Sequence, residues 1–260
     1  MSDHTSQQTH TAPSATPIPR VLELDDLRYA LRAGFADFAR APIYGLGFSL
    51  VYVLGGLILY AVFIASGQSW WFIPIAVGFP LLAPFAATGL YEVSRRLEQG
   101  AALNWAVVAR CVFDQRDRQM PSMAMVIMLA FMFWVFVAHT IFALFFGLRP
   151  IQSSTLDMLL SGPGLMMLAI GGAIGGAMAA VLFALSVVSL PLLLDKELDF
   201  ITAMITSFSV VTTNPKVMAL WAAIIAAMLF AAMLPIFLGL FIVLPLLGHA
   251  TWHLYRRALI

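Results

Sequence analysis

The chain has 260 residues, of which 62% are hydrophobic and 10% are charged, and its mean hydropathy is +0.93. Soluble domains carry roughly 25% charged residues and about 45–50% apolar residues, so this composition excludes an ordinary soluble protein and indicates a chain solvated by lipid. A formal net charge of +1 and a single cysteine, Cys111, argue against nucleic-acid binding and exclude an internal disulfide.

The N-terminal segment, residues 1–22, is rich in Ser, Thr, Gln and Pro. It lacks a basic region followed by an apolar run, so we expect a disordered cytoplasmic tail and not a signal peptide. Residues 23–260 are expected to form a single membrane domain. Its first element, residues 24–40, carries Leu27 and Leu31 on one helical face, which predicts an amphipathic helix at the membrane surface or against the helix bundle. Packing against the protein's own membrane helices is favoured over docking of a partner.

Six membrane-spanning helices are predicted from apolar runs, because one span needs about 20 apolar residues. The last run, residues 217–257, is about twice as long as one span needs. A hairpin broken near residues 234–239 is therefore favoured over one long kinked helix. Pro74, Pro80 and Pro84 predict a kink in the second span. The predicted spans are residues 42–66, 70–91, 122–146, 162–194, 217–234 and 238–257.

The distribution of basic residues predicts the topology. Arginines and lysines precede the first span and follow the second, fourth and sixth spans, whereas Arg149 alone lies on the opposite side. By the positive-inside rule this pattern favours six spans with both termini in the cytoplasm, and a five-span arrangement ranks second. Further cytoplasmic amphipathic helices are predicted at residues 101–113 and 197–212. The expected fold class is an all-α polytopic membrane bundle of six transmembrane helices with interfacial helices.

Charged residues at the cytoplasmic ends of the second and fourth spans are predicted to form one cluster, because both spans end at the same depth. Glu92 precedes two arginines at helical spacing, which allows ion pairs along one helix. A partly desolvated ionic network of this kind can fix the register of helices. The predicted members are Glu92, Arg95, Arg96, Asp195, Lys196 and Glu197.

Two histidines near the C-terminus, His249 and His253, lie four residues apart on one helical face, a spacing that can ligate a metal. No further ligand motif accompanies them. The favoured interpretation is an interfacial belt in which Trp252, His253, Tyr255 and the two arginines that follow anchor the helix end among lipid headgroups. His139 and His249 differ in predicted depth by about 10 Å, which argues against a haem held between them.

No catalytic, cofactor-binding or metal-binding set is predicted, so we expect a non-enzymatic protein without a cofactor. The fourth predicted span contains AIGGAIGGAMAA, whose small residues form a helix face that another helix can approach closely. This face suits packing within the chain, a homodimer contact or a membrane-protein partner, in addition to the lipid bilayer. Its glycines are Gly171, Gly172, Gly175 and Gly176.

Three stretches carry a family resemblance: GFPLLAPFAATGLYEVSRRLEQG, SVVSLPLLLDKELDFITAMITSFSVVTTNPKVMALW and LPLLGHATWHLYRR. They resemble a bacterial integral membrane family catalogued as domain of unknown function 2189, over about residues 29–257. The resemblance implies a multi-pass protein of the bacterial inner membrane. The family has no established activity, although some members carry a label that suggests a relation to cytochrome c oxidase.

These observations favour a non-enzymatic scaffold, assembly factor or regulator of a partner membrane complex. One alternative is a transporter or channel for a small or amphiphilic solute, which would use the kinked second span and the glycine-rich fourth span. Another is a haem-binding respiratory subunit. The absence of acidic residues from the middle of the predicted spans argues against a proton-driven pump.

Overall fold

The structure is a computed structural model that describes residues 17–66, 86–147 and 155–260. Within these ranges the regular structure is helical, apart from an antiparallel bridge between Pro19 and Leu259. Most of the second predicted span, including its three prolines, lies outside the described residues, as do residues 1–16 of the predicted tail.

The helices are numbered in chain order, and a 3₁₀ turn at Gln115–Asp117 follows α4. Of α3, the structure describes residues 86–98. The bounds are α1 Leu24–Arg40, α2 Pro42–Ser66, α3 86–98, α4 Trp105–Asp114, α5 Met120–Phe146, α6 Thr155–Leu160, α7 Gly162–Ser186, α8 Ser189–Asp195, α9 Phe200–Thr213, α10 Pro215–Met233 and α11 Leu240–Ala258.

Local capping chemistry explains where several helices begin. Asn104 accepts a hydrogen bond from the Ala106 amide at the start of α4. Asp199 accepts one from the Thr202 amide at the start of α9. Side-chain oxygens at this position satisfy amides that have no partner within the helix. The two amphipathic helices predicted at residues 101–113 and 197–212 therefore begin later, at Trp105 and Phe200.

Three helical segments are long and apolar enough to cross a bilayer: Met120–Phe146, Gly162–Asp195 and Pro215–Met233. A fourth candidate combines Leu24–Arg40 with Pro42–Ile58, although these two pieces are bent by 99°. The described residues thus contain three to four candidate spans. The sixth predicted span corresponds to α11, which is not among these candidates.

The long C-terminal apolar run is broken where the sequence predicts. α10 ends at Met233, residues 234–239 form turns, and α11 begins at Leu240. A Cβ atom added to Gly239 would lie 2.6 Å from the Cα of Ala232. Only glycine permits so close an approach of the two backbones.

The opposite ends of α10 and α11 also lie side by side, because both contact Arg20. The Arg20 amide donates to the carbonyl of Ala258, at 2.8 Å. The Asn214 side-chain amide donates to the carbonyl of Arg20, at 2.9 Å. α10 and α11 therefore form an antiparallel hairpin, as predicted, and not one long kinked helix.

Residues 17–22 correct the predicted extent of the tail. This segment is extended and packs on the helices, with Leu22 buried in the core. The Leu22 amide donates to the side chain of Asn214 at 2.6 Å, and the Ile260 amide donates to the carbonyl of Ile18 at 3.0 Å. Because apolar surface is buried and backbone groups are paired, these residues are not part of a disordered tail.

The main hydrophobic core lies at one end of the molecule, where α1, α3, α8, α9 and α11 meet the start of α5 and of α10. Trp221 and Trp252 are fully buried there. By contrast, only 6% of the most apolar window of α5 is buried. The structure thus combines a tightly packed end with a pair of largely exposed apolar helices, α5 and α7.

Candidate functional site

The packed end contains a network of carboxylates and donors drawn from several helices, which we call the charged layer. Its carboxylates belong to α1, α3 and α8, and most of its donors belong to α11. The side-chain exposure of these carboxylates ranges from 0% at Glu92 to 37% at Glu98. The charged layer consists of Asp26, Asp37, Glu92, Glu98 and Asp195 with their partners Arg20, Arg95, Arg96, Trp252, His253, Tyr255, Arg256 and Arg257.

One side of α11 contacts α3 and α8. Trp252 Nε1 donates to Glu98 at 3.2 Å, and the Tyr255 hydroxyl donates to Asp195 at 2.7 Å. Arg256 lies between these acids, 3.3 Å from Glu98 and 3.5 Å from Asp195. Charge-assisted hydrogen bonds are the stronger ones in proteins, so these contacts fix the position of α11 against two helices.

The other side of α11 contacts α1. His253 Nε2 lies 2.7 Å from the Asp37 carboxylate, and Arg257 donates to Asp26 at 2.6 Å. The Arg257 guanidinium also covers the ring of Tyr29, 4.0 Å from its centroid, which adds a cation–π contact.

The Asp26 carboxyl is stabilised in its ionised form. Burial alone would raise its pKa, but the Glu23 backbone amide and the guanidiniums of Arg257 and Arg20 outweigh burial and hold the pKa of Asp26 below its usual value. The Glu23 amide donates to this carboxylate at 2.9 Å and closes a capping box at the start of α1.

Glu92 is the most enclosed acid of the charged layer. Its side chain is 0% exposed, and each of its oxygens accepts from one arginine: Arg95 Nη2 lies at 2.6 Å and Arg96 Nε at 2.7 Å. A buried carboxylate is tolerated only when it is paired and hydrogen-bonded. The predicted ion pairs of Glu92 with the two following arginines are therefore present.

The structure divides the remaining predicted members of this cluster between separate partners. Asp195 contacts Tyr255 and Arg256 of α11, while Glu197 pairs with Arg118 at 3.0 Å on the surface. Lys196 lines the same shallow cavity as Glu197. The prediction omitted α11, whose basic C-terminal turn was assigned to lipid contact.

His249 and His253 have different partners. His249 Nδ1 lies 2.8 Å from the Ser94 hydroxyl of α3, and its buried Nε2 has no hydrogen-bond partner among the described residues. Together with the contact of His253 to Asp37, this arrangement does not form a metal pair. No group of three or more potential metal ligands occurs in the described ranges. No spacing in the sequence could have identified Ser94.

The predicted interfacial belt is wrong. Trp252 and Tyr255 are 0% and 3% exposed, because their polar atoms find carboxylates on neighbouring helices and their rings pack in the core. An aromatic side chain with a polar tip suits a protein interior as well as a membrane interface, provided that the tip is hydrogen-bonded.

A cavity of about 250 Å³ lies beside Glu92, between the end of α3 and α4. Burial raises the pKa of the Cys111 thiol in its wall to about 11, which keeps that group protonated and unreactive near neutral pH. The polar side chains that define this site, here called the arginine cavity, are Glu92, Arg95, Arg96, Arg110, Asp114, Gln115 and Arg118.

A second candidate site is the glycine groove between α5 and α7, with a volume of about 480 Å³ and almost entirely apolar walls. On Gly175 an added Cβ would lie 2.6 Å from the ring of Trp134, which packs there. On the other three glycines it would meet no atom of the described residues within 4 Å, so within this part of the chain most of the predicted small-residue face is open. The groove is lined by Trp134, Ala138, Gly171, Gly172, Gly175 and Gly176, among others.

His139 lies on the exposed part of α5, where its Nδ1 bonds the carbonyl of Val135 at 2.8 Å. His249, by contrast, is a buried residue of α11 whose ring contacts Ser94 of α3. The two histidines therefore lie in different surroundings.

Comparison with known proteins gives a family and no nearer relative: no curated protein and no solved structure matches the chain. The family match is narrower than the resemblance seen in the sequence, because it excludes residues 29–71 and 196–257. The second of these ranges contains the α11 stretch LPLLGHATWHLYRR. The match includes α3, α4, α5, α7 and α8, and therefore the arginine cavity and the glycine groove. Residues 72–195 match the model of the family described as predicted integral membrane protein, domain of unknown function 2189.

Proposed function

We propose that the protein is a non-enzymatic inner-membrane component that scaffolds, assembles or regulates a partner membrane complex. In the proposed arrangement six helices span the bilayer, with both termini and the interfacial helices on the cytoplasmic side. The pairing of residues 18–20 with residues 258–260 supports termini on the same side of the membrane. The five arginines of the charged layer favour the cytoplasm as that side, because the positive-inside rule depends on basic residues and not on net charge.

The glycine groove is the observation that carries this proposal. Its open glycines lie on an apolar helix pair that the other described residues leave largely uncovered. In a bilayer, helices associate through close backbone approach at small residues, because lipid supplies no hydrophobic driving force between them. A transmembrane helix of a partner protein fits this chemistry.

Mild-detergent co-purification of the tagged protein from its native membrane tests the proposal. We expect a stoichiometric membrane-protein partner with the wild type and its loss with Gly172→Leu, which fills the groove. A Cβ at this position meets no atom of residues 17–66, 86–147 and 155–260 within 4 Å, so the variant is expected to fold. Ala173→Leu, at the adjacent exposed position outside the groove, is the matched control and should retain the partner.

Two results would contradict this role. One is purification of the protein without a stoichiometric partner, or with the same partner in the wild type and in both leucine variants. The other is solute uptake by proteoliposomes that contain this protein alone, which would favour the transporter alternative.

A further inference from the structure

The arginine cavity has an excess of positive charge that its own acids do not neutralise. Glu92 binds Arg95 and Arg96 together, and Arg118 pairs with Glu197. Arg110 lines the cavity and has no hydrogen bond or ion pair among the residues that the structure describes. Four arginines thus line the cavity with two acids, Glu92 and Asp114, and one of these arginines is unpaired, which favours the entry of an anion.

A second observation defines the ligand further. Gln115 also lines this cavity, yet it is only 3% exposed and its Oε1 has no hydrogen-bond partner within the described ranges. A buried amide oxygen without a donor costs about 1–3 kcal/mol. A ligand that presents a hydroxyl next to its anionic group would satisfy Gln115 and the arginines together.

The position and size of the cavity suit the headgroup of a lipid. Its volume of about 250 Å³ is below the roughly 300–1,000 Å³ of sites for drug-sized molecules. Phe113 and Val107 of α4 are 65% and 42% exposed, so apolar surface borders the arginines where acyl chains would continue. This step rests on the proposed position of α4 at the cytoplasmic membrane surface, and not on the proposed scaffold role.

We propose that the arginine cavity binds the phosphoglycerol headgroup of an anionic phospholipid. The phosphate contacts Arg110 and the nitrogens of Arg95 and Arg96 that are not already bonded to Glu92 or to the Ala102 carbonyl, and a glycerol hydroxyl donates to Gln115. Basic sites between membrane helices on the cytoplasmic side have the chemistry that anionic headgroups require. The structure thus assigns a lipid-binding role to α3, α4 and the 3₁₀ turn.

Binding is tested on the purified full-length protein in neutral detergent, titrated with phosphatidylglycerol or phosphatidylcholine and followed by native mass spectrometry. We expect preferential binding of phosphatidylglycerol, weakened about fivefold in Arg110→Gln, since one basic residue near an anionic surface contributes about 1 kcal/mol. Arg116→Gln is the matched control: Arg116 lies in the same segment, is 70% exposed and does not line the cavity. Equal binding of the two lipids, or equal losses in the two variants, would overturn the proposal.

Further binding measurements identify the headgroup and show whether it belongs to a lipid or to a soluble phosphate. Gln115→Met keeps the volume of the side chain and removes the acceptor. It should therefore weaken the binding of phosphatidylglycerol but not that of phosphatidic acid, which lacks the headgroup glycerol and its hydroxyls. Equal effects on both lipids would overturn the assignment of the hydroxyl. Glycerol 3-phosphate is expected to compete poorly. If it instead displaces the lipid at micromolar concentration, the site belongs to a soluble phosphate. These measurements need no partner protein, so their outcome is independent of the co-purification test.

Discussion

Arg257 Nη1 lies 2.6 Å from Oδ1 of Asp26, a residue 231 positions earlier in the chain. The contact joins the last turn of α11 to the first turn of α1 and sits beside the bridge that pairs the two terminal segments. A basic side chain at a helix C-terminus and an acidic one at an N-terminus also complement the two helix dipoles.

Replacing Arg257 should destabilise the fold. Arg257→Ala leaves the buried Asp26 with Arg20 as its remaining cation and removes the contact with Tyr29. We expect the free energy of unfolding to fall by about 2 kcal/mol, below the 3–5 kcal/mol of a fully buried pair. Arg28→Ala, which breaks an exposed pair with Asp25, should cost less than about 1 kcal/mol. Detergent-based unfolding measures both, and equal losses would refute the structural role of Arg257.

The lowered pKa of Asp26 predicts a pH dependence of stability. An ionised Asp26 favours the folded state, so its contribution is complete above the ordinary Asp pKa of about 3.9. It is lost as the pH falls through the lower pKa of the folded protein. The difference in melting temperature between the wild type and Asp26→Asn should therefore shrink between pH 5 and pH 2. The exposed Asp25→Asn serves as the control, and a difference that stays constant over this range would contradict the assignment.

Arg96 and Arg118 provide a matched pair of arginine variants. Arg96→Ala removes one of two cations from a carboxylate with 0% exposure, whereas Arg118→Ala breaks a pair that is 45% and 79% exposed. We expect a loss of about 1–3 kcal/mol for Arg96→Ala and less than about 1 kcal/mol for Arg118→Ala. The yield of folded protein in detergent, measured by size-exclusion fluorescence, should follow this order. A greater loss with Arg118→Ala would show that the buried pairing of Glu92 is not stabilising.

The proposed topology is tested by reporter fusions. With both termini in the cytoplasm, green fluorescent protein fused after Ile260 should fluoresce, and alkaline phosphatase at the same position should be inactive. A fusion at Gly147, between the third and fourth predicted spans, should give the opposite result. An active C-terminal phosphatase would contradict the six-span arrangement and favour the five-span alternative.

Local patterns in the sequence predicted the features that depend on neighbouring residues. The pairs of Glu92 with Arg95 and Arg96 follow from helical spacing alone. The break before α11 follows from Pro235 and Gly239, since turn-forming residues interrupt an apolar run that is too long for one span.

The sequence by itself determined the membrane class, the helical fold and the approximate bounds of α5, α7 with α8, and α10, because each depends on composition and a local apolar run. The tertiary structure decided that α11 supplies most hydrogen-bond donors of the charged layer and is not a lipid-facing anchor. Tyr255 meets Asp195 across 60 positions, and Arg257 meets Asp26 across 231. The same polar tips could equally have contacted lipid headgroups. Only the packing of α11 between α1, α3 and α8 sets which groups lie within hydrogen-bond distance, because sequence separation carries no information about that contact.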